Sequence, residues 1–287
     1  MSAINKPRLL FFLLLNTSVL LSSLLPICRS LESDHQNGVG EETEDEHEFV
    51  YVEGSGKGPD EWGEIKSDWK ACDNGEMQSP IDLVNNRVQI MPTLGRLKRN
   101  YKQAPAILKN RGHDIMVKWK GDAGSININN TDYSLKQSHW HSPSEHTFNG
   151  SRHELELHLV HESDCGKMAV VAITYKYGRP DPFLEKIIHH IHSSVVKEER
   201  DVGIINPGNV KFGSRKYYRY LGSLTVPPCT EGVIWTIVKK VRTASREQVR
   251  TLREAVDDDC EVNARPVQHK EKRTVWLYSP HVTGAPS

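Results

Sequence analysis

Apolar and polar positions alternate through the middle of the chain. Residues 115–119, 125–129, 154–161 and 169–175 alternate or run apolar over the length of a strand, and each predicts a β-strand. Side chains two apart on a strand share a face. Leu155, Leu157 and Leu159 therefore fall on one side of 154–161, with Glu156, His158 and Val160 on the other. The period changes to helical twice. Asp181-Pro182 supplies a cap and a first-turn proline, after which Leu184, Ile187, Ile188, Ile191 and Val195 recur at helical spacing. Ser245 and Gln248 form a capping box before Val249, Leu252 and Val256. Many short strands with few helices predict a mainly β (α+β) single domain, its helices peripheral to a sheet.

The N-terminus departs from this pattern. Lys6 and Arg8 precede an apolar stretch over 9–27 that is broken by Asn16-Thr17-Ser18. A membrane helix wants about 20 uninterrupted apolar residues, so residues 1–30 read as a secretory signal peptide. No second apolar run or lipid-anchor signal follows, and no membrane anchor is expected. Residues 31–48 hold eight acids and no Lys or Arg, and read as a disordered acidic arm. The folded domain is then 49–287.

With 37% hydrophobic and 26% charged residues, the composition is that of a globular chain and excludes a collagenous or largely disordered one. The 37 Lys+Arg balance the 37 Asp+Glu, but setting aside three bases in the signal and eight acids in the arm leaves the domain with five extra positive charges. No Lys/Arg cluster with interleaved aromatics is read, which argues against a nucleic-acid partner. Cys28 lies at the signal boundary. Cys72, Cys165, Cys229 and Cys260 allow three complete pairings among which spacing does not choose. Their wide separation disfavours a structural zinc knot and suits a disulfide in an oxidising compartment. Asn129 and Asn149 head sequons open to glycosylation after export.

Of the fourteen histidines, His189, His190 and His192 lie off the apolar stripe of the first helix and read as surface, as do His35 and His47 in the arm. The segment 137–146, QSHWHSPSEH, is different. On a strand, Gln137, His139 and His141 share one face, with Trp140 on the other. If this strand neighbours 154–161, His139, His141 and His158 converge. Three neutral imidazoles leave a zinc ion one open position and its full positive charge, which lowers the pKa of bound water. Gln137 and Glu156, each two residues before a ligand, are placed to accept the second N–H of that ligand.

SHWHSPSEH (138–146), ELELHLVH (154–161) and GSLTVPPCTEGVIW (222–235) resemble the α-class carbonic anhydrases, most closely the plant secreted branch. GPDEWG (58–63), QSPIDL (78–83), NRGHDI (110–115) and NARPVQ (263–268) follow in family order over nearly all of 49–287. The resemblance implies a large, mostly antiparallel twisted sheet with zinc at the base of a conical cleft. It implies reversible hydration of carbon dioxide to bicarbonate and a proton by zinc-bound hydroxide. His139, His141 and His158 match the zinc ligands. Thr225 matches the threonine that accepts the hydroxide's hydrogen bond, and Glu145 the buried glutamate that takes that threonine's proton. Val160, Val170, Leu224 and Trp235 match the apolar wall for carbon dioxide, and His113 the proton shuttle. Tyr51 resembles a tyrosine at the cleft mouth, although its spacing to Trp62 differs. Cys72 and Cys229 match a disulfide, which leaves Cys165 and Cys260 as a second bridge or two thiols. Val226 stands where the family often has a second threonine. The expected location is the secretory route, ending extracellular, in the apoplast or in a plastid; oligomeric state is not read.

Two alternatives compete. His139, His141 and Glu145 mimic a cupin His-x-His-x₃-Glu set, but His158 lacks the Pro-x-Gly-x₂-His context that a cupin wants. Some plant relatives of this fold look like weakly catalytic storage or defence proteins, since fold alone does not guarantee rate. Against that, the three histidines, Thr225, Glu145 and His113 are all present.

Overall fold

In the computed structural model, residues 48–191, 199–256, 260–269 and 273–280 are described, all in the unit Ser33–Ser287. The signal peptide, all of the acidic arm but Glu48, and Val195 lie outside the described residues. Helices α1 (Trp62–Ile65) and α2 (Ala71–Asn74) precede β1 (Asp82–Leu83), β2 (Gln89–Ile90), β3 (Lys98–Tyr101), β4 (Ala104–Asn110) and β5 (Ile115–Trp119). Strands β6 (Gly124–Ile128), β7 (Thr131–His141), β8 (Thr147–Phe148), β9 (Leu155–Glu162) and β10 (Met168–Tyr177) lead into α3 (Pro182–Ile191). The described chain continues with β11 (Arg200–Ile205), β12 (Tyr217–Ser223), β13 (Glu231–Val238), β14 (Arg242–Ala244), α4 (Arg246–Glu254) and β15 (Trp276–Tyr278).

One sheet runs in the order β11-β4-β5-β7-β9-β10-β13-β12-β15-β2, with β3, β6 and β14 attached off this path. Most of its pairs are antiparallel, while β10 with β13, β10 with β14, and β15 with β2 are parallel. The expected mainly β architecture with few short helices is what forms. The helix signals act as read. Asp181 Oδ1 accepts from the Phe183 and Leu184 amides at 2.9 and 3.1 Å, and Ser245 with Gln248 closes the capping box on α4. Of the helix-face histidines, His189 is exposed and His190 half-buried.

The alternation in β9 divides the interior. Leu155, Leu157 and Leu159 join Val171 and Ile173 of β10 in a large core that is covered by Phe183, Leu184 and Ile187 of α3 and Leu252 of α4. The opposite face carries Val160, Val170, Tyr220, Leu224 and Trp235 in a second cluster. The reading that no basic cluster with interleaved aromatics exists is corrected here. Residues 211–220, KFGSRKYYRY, are such a run, and the fold brings part of it together with Arg96, Lys98 and Arg99.

His161 is a fully buried imidazole on the large-core side. Its Nδ1–H donates to the Ala169 carbonyl at 3.1 Å, which leaves Nε2 to accept from the Tyr101 hydroxyl at 2.8 Å. Burial pushes its pKa down to about 4. The unfolded chain therefore binds this proton below about 6.5 while the folded chain resists it, so stability falls with acid across that window. We expect His161→Phe to lose about 3 kcal/mol less than the parent between pH 7 and pH 4, from about 1.4 kcal/mol per pKa unit. Urea unfolding at several pH values checks this; parallel pH slopes for the two proteins contradict it.

Candidate metal centre

The pairing of β7 with β9 sets His139 opposite His158, His141 opposite Glu156 and Gln137 opposite Val160. A strict period of two would place Tyr133 and Leu135 on the same face as His139. They are instead buried in the large core, because the register slips between Leu135 and Gln137. An extra residue in one strand turns over the face that follows it, and that turn aims three side chains of β7 at β9's polar face. Next door, Val160 opposes Val170, Val170 pairs with Trp235, and Trp235 opposes Tyr220. The apolar wall is thus a row across four strands, ending beside the histidines.

One nitrogen from each of His139, His141 and His158 lies within 4.8 Å of the others, and all three rings are buried. His139 Nε2 and His158 Nδ1 are 3.3 Å apart. A tetrahedral zinc with bonds of about 2.0–2.1 Å separates its ligand nitrogens by about 3.3–3.4 Å, so this edge fits the ion. His141 Nε2 is buried without a hydrogen-bond partner, which leaves its lone pair open to a metal. Burial first, then the neighbouring imidazoles, lower the pKa of His139 well below its usual value; burial lowers that of His158. Neutral rings are the form that binds metal.

The outward nitrogens are each fixed. His139 Nδ1 faces Gln137 Oε1 at 2.9 Å, His141 Nδ1–H donates to the Asn263 carbonyl at 2.7 Å, and His158 Nε2–H donates to Glu156 Oε1 at 2.9 Å. Glu156 also accepts from His146 Nδ1 at 2.7 Å and from its amide at 2.9 Å. Burial pushes Glu156 up, but the charge and hydrogen bonds of His146, with those of His158, hold it well below the carboxylate range. His146, Glu156 and His158 are also close enough to read as a second ligand set. The two rings converge on one oxygen of Glu156, so this group orients His158. His146 Nε2 in turn accepts from Tyr220, whose hydroxyl accepts from Ser79; Ser79 Oγ accepts from the Ser223 amide. A directed chain of hydrogen bonds therefore links His158 to the strand leading into Thr225.

Other expected residues gather with mixed results. Val160, Val170, Leu224 and Trp235 pack together as expected. Glu145 is fully buried, but Thr225 forms no hydrogen bond to it. Its Oε1 accepts from the Arg265 amide at 3.0 Å, and its Oε2 lies 3.6 Å from His141 Nε2 with no hydrogen-bond partner. His113 is 1% exposed, with its ring 5.0 Å from that of Phe49. Tyr51 lies at Phe49 and Trp62, and burial, then the charge of Glu145, raises its pKa well above normal. Cys72 and Cys229 are bonded, which joins the α2 segment to the Thr225 loop across 157 residues. Cys260 carries a buried thiol, so it does not pair with Cys165. The sequon residues Asn129 and Asn149 are exposed.

Asn263 and Arg265 were missed as site residues. Asn263 holds His141 by its carbonyl, and its side chain ties the Ser142 amide to the carbonyls of His113 and Trp140. The fully buried Arg265 donates to Gln78 and to the carbonyls of Ser79 and Cys72. Their only signal was their place in NARPVQ. Nor was Arg111 singled out; its guanidinium holds the buried Asp114 carboxylate well below its usual pKa, against the upward push of burial.

A family model described as eukaryotic-type carbonic anhydrase matches residues 57–279. Alpha carbonic anhydrase 4 of Arabidopsis thaliana is 54% identical over 241 residues, covering 84% of this chain and 90% of that one. The crystal structure of dioscorin complexed with ascorbate is similar with a TM-score of 0.78 at 46% identity, covering 80% of this chain and 98% of that one. The α-carbonic anhydrase from Thermovibrio ammonificans, in complex with the inhibitor sulfanilamide, gives a TM-score of 0.74 at 33% identity, covering 83% and 100%.

Proposed function

The chain belongs to the eukaryotic-type carbonic anhydrase family and is an enzyme of that activity; from that premise we propose that His139, His141 and His158 hold the zinc at which carbon dioxide is hydrated. The observation that carries this assignment is the buried set of three imidazoles, each with its outer nitrogen fixed by a hydrogen bond. When bound, the ion supplies an activated water as nucleophile.

The chain's own residues do the rest. Gln137, Asn263 and Glu156 fix the tautomer and tilt of the rings. Val160, Val170, Leu224 and Trp235 offer an apolar surface to a substrate without charge. Glu145, with one oxygen fixed by Arg265 and the other facing the histidines, is the acceptor for the Thr225 hydroxyl when that side chain orients the nucleophile. Each turnover leaves a proton to export, and His113 is the titratable side chain we assign to carry it toward buffer. Since that ring is 1% exposed, delivery to solvent requires it to swing. Val226 packs against the Cys72–Cys229 bridge region and adds no hydroxyl. We expect Val226→Thr to alter inhibitor anion affinity, with kcat/KM changing by less than about a hundredfold (under about 3 kcal/mol). Stopped-flow kinetics with an anion inhibitor series decides; a larger change puts Val226 in the reaction path.

Entry into the secretory route, with removal of 1–30 and glycans at Asn129 and Asn149, is part of the same proposal. The Cys72–Cys229 bridge supports it, since such bonds persist in oxidising compartments. The primary test is metal removal from the oxidised mature chain. Dialysis against a chelator should abolish carbon dioxide hydration, and one equivalent of zinc per chain should restore it. Full activity in protein shown to be zinc-free would refute the assignment, and a zinc-loaded folded protein without turnover would favour the storage or defence reading.

A further inference from the structure

Away from the histidines, on the other face of β12 and β13, lies a cavity of about 410 Å³. Tyr217 pairs with Val238 and Arg219 with Thr236, and these alternate with Tyr218, Tyr220, Trp235 and Ile237, which face the catalytic side. Five cations line the cavity: Arg96, Lys98 and Arg99 from β3 and the turn before it, and Arg215 and Lys216 from the approach to β12. Among the described residues, none of the five forms an ion pair and no carboxylate lines the wall.

Uncompensated like charges gathered around a concavity disfavour the empty fold and favour an anion. Two features go beyond a solvated basic face. The Arg99 guanidinium lies 4.0 Å from the Phe212 ring centre and donates to the Val210 carbonyl at 3.1 Å, so its remaining donors are held in place. Arg219 is 7% exposed and bonds only to Thr236 Oγ1 at 2.9 Å, with its guanidinium 5.0 Å from the Tyr217 ring. Both contacts of Arg219 are residues of the cavity wall, so a sixth positive charge without a carboxylate partner sits behind it. Burial lowers the pKa of both arginines, and Arg96 adds to the effect on Arg99. The volume suits a small molecule, within the usual range of about 300–1,000 Å³. The cation count calls for several negative charges on that molecule, and guanidinium forks match phosphate oxygens two at a time.

We propose that this pocket binds a small oligophosphate anion through Arg96, Lys98, Arg99, Arg215 and Lys216. The test is titration calorimetry of the intact zinc-loaded protein with sodium tripolyphosphate at low and moderate salt. One saturable site is expected, weakening as salt screens it, and at least tenfold tighter than for orthophosphate. Arg96 and Arg215 are both exposed. The double variant R96A/R215A should therefore fold, keep the parent's carbon dioxide hydration rate and lose at least tenfold in tripolyphosphate affinity. Binding unaffected by the double variant, equal affinity for orthophosphate, or no saturable binding overturns the proposal. A single-stranded oligonucleotide that binds more tightly than tripolyphosphate and is lost on the same substitutions also overturns it, in favour of a nucleic-acid surface.

Discussion

Replacing His139 with alanine should leave a folded protein without stoichiometric zinc, its carbon dioxide hydration reduced by more than about a thousandfold. That exceeds the 10–100-fold cost of losing an outer partner of a ligand, because one of three protein ligands disappears. The geometry gives no substitute. His146, the nearest additional imidazole, commits Nδ1 to Glu156 and Nε2 to Tyr220. Glu145 Oε2 lies 3.6 Å from His141 Nε2, but a carboxylate on the ion would cancel part of the charge that activates water. Metal analysis and stopped-flow rates on the same preparation read both consequences. Zinc retained at one per chain with more than a hundredth of the parent rate would show that His139 is not a ligand.

Glu156→Ala should have the largest effect on stability. The carboxylate is fully buried and accepts from His146 Nδ1, the His146 amide and His158 Nε2. Truncation leaves those donors without an acceptor where water does not reach, at about 1–3 kcal/mol for each unsatisfied group, and zinc affinity should fall about 10–100-fold as His158 loses its anchor. The pH behaviour has a definite sign. The folded pKa of Glu156 is depressed, so its contribution is complete above the unfolded value of about 4.3 and is lost as pH falls toward the folded one. Glu156→Gln, which keeps one acceptor but no charge, should fall between parent and alanine variant at pH 7 and show less of the acid-side loss. Denaturant melts at several pH values distinguish these outcomes. An alanine variant as stable as the parent would mean that Glu156 is not the anchor.

How much of this was legible depended on distance along the chain. The faces of β9 and the caps of α3 and α4 follow from residues a few positions apart, and they form as read. Strands β12 and β13 escaped the alternation test because both of their faces are largely buried, so apolar and polar positions do not take turns. In β7 the alternation misleads. Leu135 and His139 share parity, yet a register slip puts them on opposite faces; nothing local in Lys136 announces it. The long-range partners were out of reach for another reason. Asn263 meets His141 across 122 residues, and Arg265 meets Glu145 across 120, so only tertiary assembly reveals what an asparagine or arginine there does. The family resemblance supplied the roles of Thr225 and Glu145, and it did not supply the basic pocket, which two separate segments build.

The same reach has a bearing on biosynthesis. His139, His141 and His158 are all synthesised well before Asn263, and domains generally acquire structure from the N-terminal side as synthesis proceeds. A nascent chain that ends between residues 158 and 263 already displays every proposed metal ligand, yet His141 still lacks its carbonyl anchor and Glu145 the amide of Arg265. Any zinc captured at that stage would sit in a site with a loosely held ring and would exchange readily. Firm loading must wait until 263–265 have docked against β7, so metal supply matters after translation of the domain core rather than during it.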